Sequence, residues 1–250
     1  MAILYVASLP MELEPFAASL TGVRKLKWPI DYAFEGVWEG RRVMLAANGA
    51  GPRLAAQAVE IAIRAVIGAE LSSSKLEAVV STGFCGALDP DLRECQIAVA
   101  TEIVDLDTNA KFECGTVDAD TPFASGVLIS QDRVANDAAQ KQQLRDRGAL
   151  AIDMEASGVA ARAKRAGLPF YSIKVVSDRA DESFPFDINS MRTSEGRIRR
   201  VKIGVHALTH PKLLPQLLYW RRRSRIAAKA LGGFLVSCRI RPKSDAALAE

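Results

Sequence analysis

Cysteine and histidine are scarce in this chain of 250 residues, which holds four Cys and two His. No two cysteines have the spacing of a zinc or redox motif, and the histidines lie far from most of them; these residues are Cys85, Cys95, Cys114, Cys238, His206 and His210. We therefore expect no disulfide framework, no metal site and no triad built on histidine. A reducing, cytoplasmic location fits this composition best.

Long apolar runs are also absent, so the sequence predicts no membrane-spanning helix. Hydrophobic residues still make up 49% of the chain, which is enough for a sizeable core. The net charge of +4 is unevenly distributed, because residues 209–250 hold nine Lys or Arg against two acidic residues. We predict a globular, mildly acidic domain over residues 1–208, followed by a basic amphipathic extension over residues 209–250.

Short apolar runs alternate with segments of helical periodicity through most of the chain. Residues 2–8 and 170–176 read as strands that are apolar on both faces, which is typical of a parallel or mixed sheet. Residues 52–66 and 155–166 repeat apolar positions every three or four residues, and a last core helix is expected over 187–207. The predicted fold class is α/β, a three-layer sandwich around a central mixed, mainly parallel twisted sheet.

Acidic residues stand at or just after the ends of several predicted strands. Ligands of open α/β sheets bind beyond the carboxyl ends of the strands, so Glu12, Glu155 and Asp178 are expected to meet in one cleft. Carboxylates in different surroundings can divide the work of acid and base. Each signal also has a structural alternative, since Asp153 and Glu155 suit the first turn of a helix and Ser177 suits a cap.

Glycines precede the helix that is predicted to begin near Pro52. Gly49-x-Gly51 is neither a dinucleotide fingerprint nor a Walker loop, because a third glycine and a Gly-Lys-Ser/Thr sequence are both missing. A plain strand–helix turn is one interpretation. The other is an anion or nucleophile site, for which the candidate residues are Gly49, Gly51, Arg53 and Thr82.

Four segments together resemble the nucleoside phosphorylase/nucleosidase superfamily, and most closely the methylthioadenosine/S-adenosylhomocysteine nucleosidases. Residues 151–160, AIDMEASGVA, resemble the ribose-binding stretch, and residues 175–181, VVSDRAD, resemble the strand end that recognises the base. Residues 81–87, STGFCGA, match the central glycine-rich loop, and residues 8–16 resemble the N-terminal segment that carries an acid. The resemblance extends over roughly residues 1–205.

The resemblance implies cleavage of the N-glycosidic bond of a 5′-substituted, adenine-containing nucleoside, with no cofactor. Glu155 and Met154 would hold the ribose, Asp178 would protonate the purine, and Glu12 would activate the attacking water. Further residues implied at the substrate are Asp153, Ser177, Phe84, Cys85 and Gly86. Members of the superfamily are usually oligomers, and a dimer is favoured here.

The attacking nucleophile distinguishes nucleosidases from phosphorylases of this superfamily, which hold inorganic phosphate with arginines and a serine of the glycine-rich loop. Phe84 stands in the place of that serine and Ser81 in the place of an arginine, so hydrolysis is favoured over phosphorolysis. The segment 105–121 differs from a typical nucleosidase, which leaves the 5′ substituent open.

The basic extension allows several interpretations. One is a helix that docks on the body or on another subunit. Another is an amphipathic segment on an anionic membrane surface, since the extension resembles the C-terminus of hopanoid-associated phosphorylase-like proteins, which are thought to act on adenosylhopane. A binding module without catalysis and nucleic-acid binding are less favoured, because the three acids are retained and no nucleic-acid fold is recognised.

Overall fold

The computed structural model describes residues 2–68, 75–184, 187–191, 193 and 214–240. The strands in these ranges are β1 (Ala2–Ala7), β2 (Thr21–Lys25), β3 (Tyr32–Trp38), β4 (Arg41–Ala47), β5 (Leu76–Ala87), β6 (Ile97–Asp105), β7 (Lys111–Glu113), β8 (Val117–Asp118), β9 (Ala124–Ser130), β10 (Ala151–Asp153), β11 (Phe170–Asp178) and β12 (Arg239–Ile240). The helices are α1 (Pro10–Ala17), α2 (Pro52–Gly68), α3 (Ala138–Arg145), α4 (Ala156–Arg165) and α5 (Leu214–Ser237), with a 3-10 turn at Ile188–Met191.

The main sheet has the strand order β10-β9-β6-β11-β5-β1-β4-β3-β2. Its centre is parallel, since β5 pairs in parallel with both β1 and β11. The edge formed by β2, β3 and β4 is antiparallel, and so is the pairing of β6 with β11. β10 also pairs with the end of β5, which closes one side of the sheet on itself. The sheet is therefore mixed, with its parallel pairings concentrated near the site described below.

Helices cover both faces of this sheet, which confirms the predicted three-layer α/β fold. Side chains of β1 alternate between the layers: Leu4 packs with α2 and α4, whereas Tyr5 packs with α1 and α5. The helices α2 and α4 cross closely at Gly158, where a Cβ atom would lie 1.9 Å from the carbonyl oxygen of Pro52. Only glycine fits this crossing, so Gly158 has a packing role.

The glycine-rich segment 81–87, which resembles a loop of the family, is part of a strand. β5 continues to Ala87, because Thr82–Cys85 pair with β11 and Gly86 and Ala87 pair with β10. Gly83 has a φ of 118°, a backbone conformation that L side chains rarely adopt, so this position favours glycine. The segment is thus held on both sides by neighbouring strands.

The described part of the C-terminal extension is built into the core. Ala227, Leu231, Phe234 and Leu235 of α5 are buried in the same layer as α1. The boundary predicted at residue 208 and most of the helix predicted at 187–207 lie outside the described residues. None of the described helices is long and apolar enough to cross a membrane.

Two adjacent glycines of α5 allow its docking to be tested. A Cβ atom at Gly232 would lie 2.6 Å from Pro15 Cβ and 3.0 Å from the backbone of Phe16, whereas Gly233 has nothing within 4 Å. Replacing a helical glycine by alanine stabilises a helix by about 1 kcal/mol when space allows. We expect Gly233→Ala to raise the free energy of unfolding and Gly232→Ala to lower it, as measured by urea denaturation. Equal effects of the two substitutions would show that α5 does not pack on α1.

Candidate active site

A cavity of about 320 Å³ lies where β1, β5, β10 and β11 end, and α3 and α5 complete its wall. Glu12, Glu155 and Asp178 all line this cavity, and each is less than 10% exposed. Three acids that are far apart in the sequence therefore meet around one small space. A second cavity, of about 670 Å³, lies between β7 and α4, but it is lined by no buried charged side chain.

Glu12 is positioned by main-chain groups at the start of α1. Its Oε2 accepts a hydrogen bond from Leu9 N–H at 2.5 Å, as expected for a glutamate in the first turn that caps its own helix. Its Oε1 accepts from Phe84 N–H at 2.8 Å, which ties α1 to β5. Burial raises the pKa of Glu12, while these hydrogen bonds and the charge of Lys174 oppose the rise. Glu12 is thus a stronger base than an exposed glutamate.

Asp153 and Lys174 form a fully buried ion pair beneath the cavity. Lys174 Nζ lies 2.7 Å from Asp153 Oδ2, and the side chains of both residues are inaccessible to solvent. The same oxygen accepts a hydrogen bond from Ala156 N–H at 2.9 Å, which caps the start of α4. We predicted Asp153 as a substrate-binding residue, and it is among the residues that line the cavity, while its Oδ2 is engaged by Lys174 and the start of α4.

Glu155 lies at the N-cap of α4, two residues beyond the strand β10. Its Oε1 accepts a hydrogen bond from Gly51 N–H at 3.0 Å, so the loop before α2 fixes its orientation. Burial raises the pKa of Glu155, and the nearby carboxylates Asp153 and Glu12 raise it further, whereas Lys174 lowers it. A carboxyl group in this position can accept hydrogen bonds from neighbouring hydroxyl groups.

Asp178 ends β11 next to a break in the sheet register. The pairing of β11 with β5 shifts between Val176 and Asp178, and such an irregularity re-aims the side chain that follows it. Asp178 Oδ1 accepts from Ser177 Oγ at 2.7 Å, and Oδ2 accepts from Lys141 Nζ at 2.5 Å. A Cβ atom at Gly86 would lie 2.8 Å from Oδ2, so this glycine leaves room for the carboxylate.

The remaining residues predicted at the substrate line the same cavity but differ in burial. Phe84 and Met154 are half-buried and present apolar surface to it. Ser177 also contacts the cavity, and its hydroxyl lies 3.1 Å from the carbonyl oxygen of Cys85. Cys85 itself is 2% exposed, and burial raises the pKa of its thiol, so it is a packing residue and not a nucleophile.

The four residues predicted for anion binding do not surround a common space. Gly51 N–H donates to Glu155, and Gly49 N–H donates to Ser8 O at 2.9 Å, so both backbone groups are already used. Arg53 is exposed at the start of α2 and does not line the cavity, and Thr82 is fully buried. None of the four is among the residues that line the cavity.

The sequence interpretation missed two buried lysines and the last wall of the cavity. Lys174 is the one charged residue in an otherwise apolar or uncharged part of β11, which is a usable signal for a buried ion pair. Lys141 lies in a polar helix, AAQKQQLR, where nothing distinguishes it from an exposed lysine. Phe184 and Ser224 also line the cavity, and Ser224 comes from α5 in the predicted extension.

Fold and site together define an α/β protein with a cluster of buried acids at the ends of its central strands. The chain belongs to the phosphorylase superfamily, since the model of that family matches residues 2–124 and 109–205. Within the described ranges, no set of three or more His, Cys, Asp or Glu side chains is placed to hold a metal ion.

Relatives of known name agree with this family. A 5′-methylthioadenosine/S-adenosylhomocysteine nucleosidase of Halalkalibacterium halodurans is 27% identical over 176 residues, which cover 59% of this chain and 72% of the relative. The nucleosidase of Neisseria meningitidis, solved with methylthio-immucillin-A, has a TM-score of 0.69 at 18% identity over 94% of this chain and 97% of its own. The futalosine hydrolase of Helicobacter pylori has a TM-score of 0.67 at 17% identity, over 95% and 96%.

The pKa of Glu155 provides a test of the electrostatics. A carboxyl group whose pKa is raised by folding stabilises the protein at low pH, and this contribution is lost as the pH rises towards the raised value. We expect the free energy of unfolding of Glu155→Gln to exceed that of the original protein by at least about 1 kcal/mol near pH 8.5 and to differ less near pH 5.5. Urea denaturation at both pH values measures this difference.

The exposed Glu113 offers a matched control for this experiment. Glu113→Gln should leave the pH dependence of stability unchanged. A Glu155→Gln protein that loses the same stability at both pH values would contradict the interpretation that burial opposes the charge of Glu155.

Proposed function

We propose that this protein hydrolyses the N-glycosidic bond of an adenine-containing nucleoside with a substituent at the 5′ position. The observation that carries the proposal is the meeting of Glu12, Glu155 and Asp178 in one cavity, each with different hydrogen-bond partners. Carboxylates in distinct surroundings can act as acid, base and ligand of the sugar at the same pH. The names of the relatives support the same class of substrate.

The proposed reaction breaks the bond between C1′ of the ribose and N9 of the purine. Asp178, together with Ser177, faces the base, and a proton delivered to N7 allows the base to depart with the bonding electron pair. Glu155 accepts hydrogen bonds from the ribose hydroxyls, with Met154 packed on the sugar. The oxocarbenium-like state at C1′ is stabilised by the surrounding carboxylates. Water then adds to C1′ and gives its proton to Glu12.

Water is the proposed nucleophile because none of the residues predicted for anion binding lines the cavity. The ring of Phe84 cannot donate a hydrogen bond, and the N–H groups of Gly49 and Gly51 are occupied within the protein. Arg53 lies outside the cavity lining. The proposed hydrolysis needs no cofactor, since water and protein side chains supply every proton and bond. Phosphorolysis, for which inorganic phosphate would be the co-substrate, is not favoured.

Product analysis tests this proposal. With 5′-methylthioadenosine as the substrate, we expect adenine and the free sugar at the same rate with and without inorganic phosphate. Asp178→Asn should lower kcat by about 100-fold or more, because it removes the group that passes a proton to the base. Binding of adenine by that variant, followed by calorimetry, should persist. Phosphate-dependent release of a sugar phosphate would contradict hydrolysis, and binding without turnover by the original protein would favour a binding module.

We propose in addition that the outer face of α5 rests on an anionic membrane. Leu218, Tyr219 and Ile226 are more than half exposed there. They are interspersed with exposed cations, namely Arg221, Arg222, Arg225 and Lys229. Exposed apolar side chains within a basic face are typical of helices that lie in a bilayer interface. Such a location would suit a nucleoside whose 5′ substituent is a lipid, as in adenosylhopane. Cytoplasmic location and a homodimer remain predictions.

Vesicle co-sedimentation tests the membrane proposal. We expect the full chain to bind vesicles of anionic phospholipid and not zwitterionic ones, with binding weakened by salt because exposed charges are screened. Replacing Arg221, Arg222 and Arg225 together by Glu should abolish the binding. The matched control replaces the exposed Lys25, Lys75 and Lys164 by Glu and should retain most of it. Equal loss in both triple variants, or no binding by the original chain, would contradict the proposal.

A further inference from the structure

Lys141 is the buried cation that the proposed reaction has not yet used. It is 1% exposed, although it belongs to the polar helix α3, and it is among the residues that line the cavity. Burying an ammonium group is unfavourable unless it is paired and hydrogen-bonded. Its Nζ donates to Asp178 Oδ2 at 2.5 Å and to the carbonyl oxygen of Arg179 at 2.5 Å.

The pair has the geometry of an ammonium group that faces a carboxylate. A lysine ammonium group has three hydrogens to donate and cannot accept, so in this ion pair Nζ donates to Oδ2. The other carboxylate oxygen, Oδ1, accepts from Ser177 Oγ at 2.7 Å. Asp178 is therefore surrounded by donors and, before a substrate arrives, holds no hydrogen for the base. A purine that departs as a leaving group needs a proton.

The environment of the pair favours proton transfer from Lys141 to Asp178. The side chains of Lys141 and Asp178 are 1% and 11% exposed, so little water competes for the proton. The ring centroid of Phe184 lies 5.8 Å from Nζ and covers the pair, and Trp220 of α5 packs edge-on against that ring with centroids 5.4 Å apart. Two further cations lie in this region: Arg133, which is exposed and also lines the cavity, and Lys174, which is paired with Asp153.

We propose that Lys141 is a positioning residue that supplies the proton which Asp178 passes to the departing purine. The inference rests on the proposed function. As the C1′–N9 bond breaks and its electron pair moves onto the base, one proton leaves Nζ for the Asp178 carboxylate and one proton goes from that carboxyl group to N7. Lys141 is left as a neutral amine. It regains a proton from solvent after the base departs, while Glu12 releases the proton it took from water.

An N7-methylated substrate separates this role from a structural one. A purine nucleoside methylated at N7 carries its positive charge already and departs without a proton. We expect Lys141→Met to lower kcat for 5′-methylthioadenosine by about 100-fold or more, the range of general acid catalysis, with a much smaller change in KM. The same variant should cleave the N7-methylated substrate at nearly the rate of the original protein. The control, Lys164→Met on the exposed side of α4, should alter neither rate.

Each outcome of this experiment has one meaning. Equal slowing of both substrates by Lys141→Met, or no slowing of either, overturns the inference while leaving the proposed function in place. Absence of cleavage by the original protein overturns the proposed function instead. Melting temperatures show whether Lys141→Met is folded.

A second measurement applies if Lys141→Met does not fold or if the cavity does not admit the N7-methylated substrate. Ethylammonium in millimolar amounts should restore cleavage of 5′-methylthioadenosine by Lys141→Ala, in proportion to the protonated amine. Failure of every small ammonium ion to restore that activity overturns the inference.

Discussion

Pairing of buried charge is the constraint on which the whole site depends. Six acidic or basic side chains of the cavity region are almost inaccessible to water, and an isolated buried charge is strongly destabilising. Lys174 neutralises Asp153 beneath the cavity, and Lys141 neutralises Asp178 at its side. Removing one partner of such a pair typically lowers stability by about 3–5 kcal/mol. The two lysines therefore compensate the buried charges of the two aspartates.

The other two acids of the cavity, Glu12 and Glu155, are held by main-chain groups. The donors are the N–H groups of Leu9, Phe84 and Gly51, and no lysine of the described residues is hydrogen-bonded to either of the two glutamates. Their pKa values are raised by burial, whereas the aspartates are engaged in direct ion pairs. One cavity thus contains two kinds of carboxyl group. The strand order explains why these side chains lie close together, because β1, β5 and β11 are adjacent at the centre of the sheet.

The sequence allowed the fold class and the three principal acids to be predicted, because both depend on local patterns. Apolar runs and helical periodicity locate β1, α2, α4 and β11, and the acids follow directly from strand ends. Contacts between distant segments could not be predicted in the same way. Three features depend on how the loops and α5 pack in the folded protein. They are the hydrogen bonds that occupy the N–H groups of Gly49 and Gly51, the burial of Lys141, and the place of Ser224 in the cavity wall.

Main-chain groups position Glu12, so its position does not depend on which side chains its neighbours carry. Leu9 and Phe84 contribute only their N–H groups to that carboxylate, so their side chains are free to change without moving it. Phe84 simultaneously presents its ring to the cavity. A single codon change at this position can therefore alter the surface of the cavity while the Glu12 carboxylate stays in place. Divergence of reaction type within one scaffold requires no rebuilding of the scaffold.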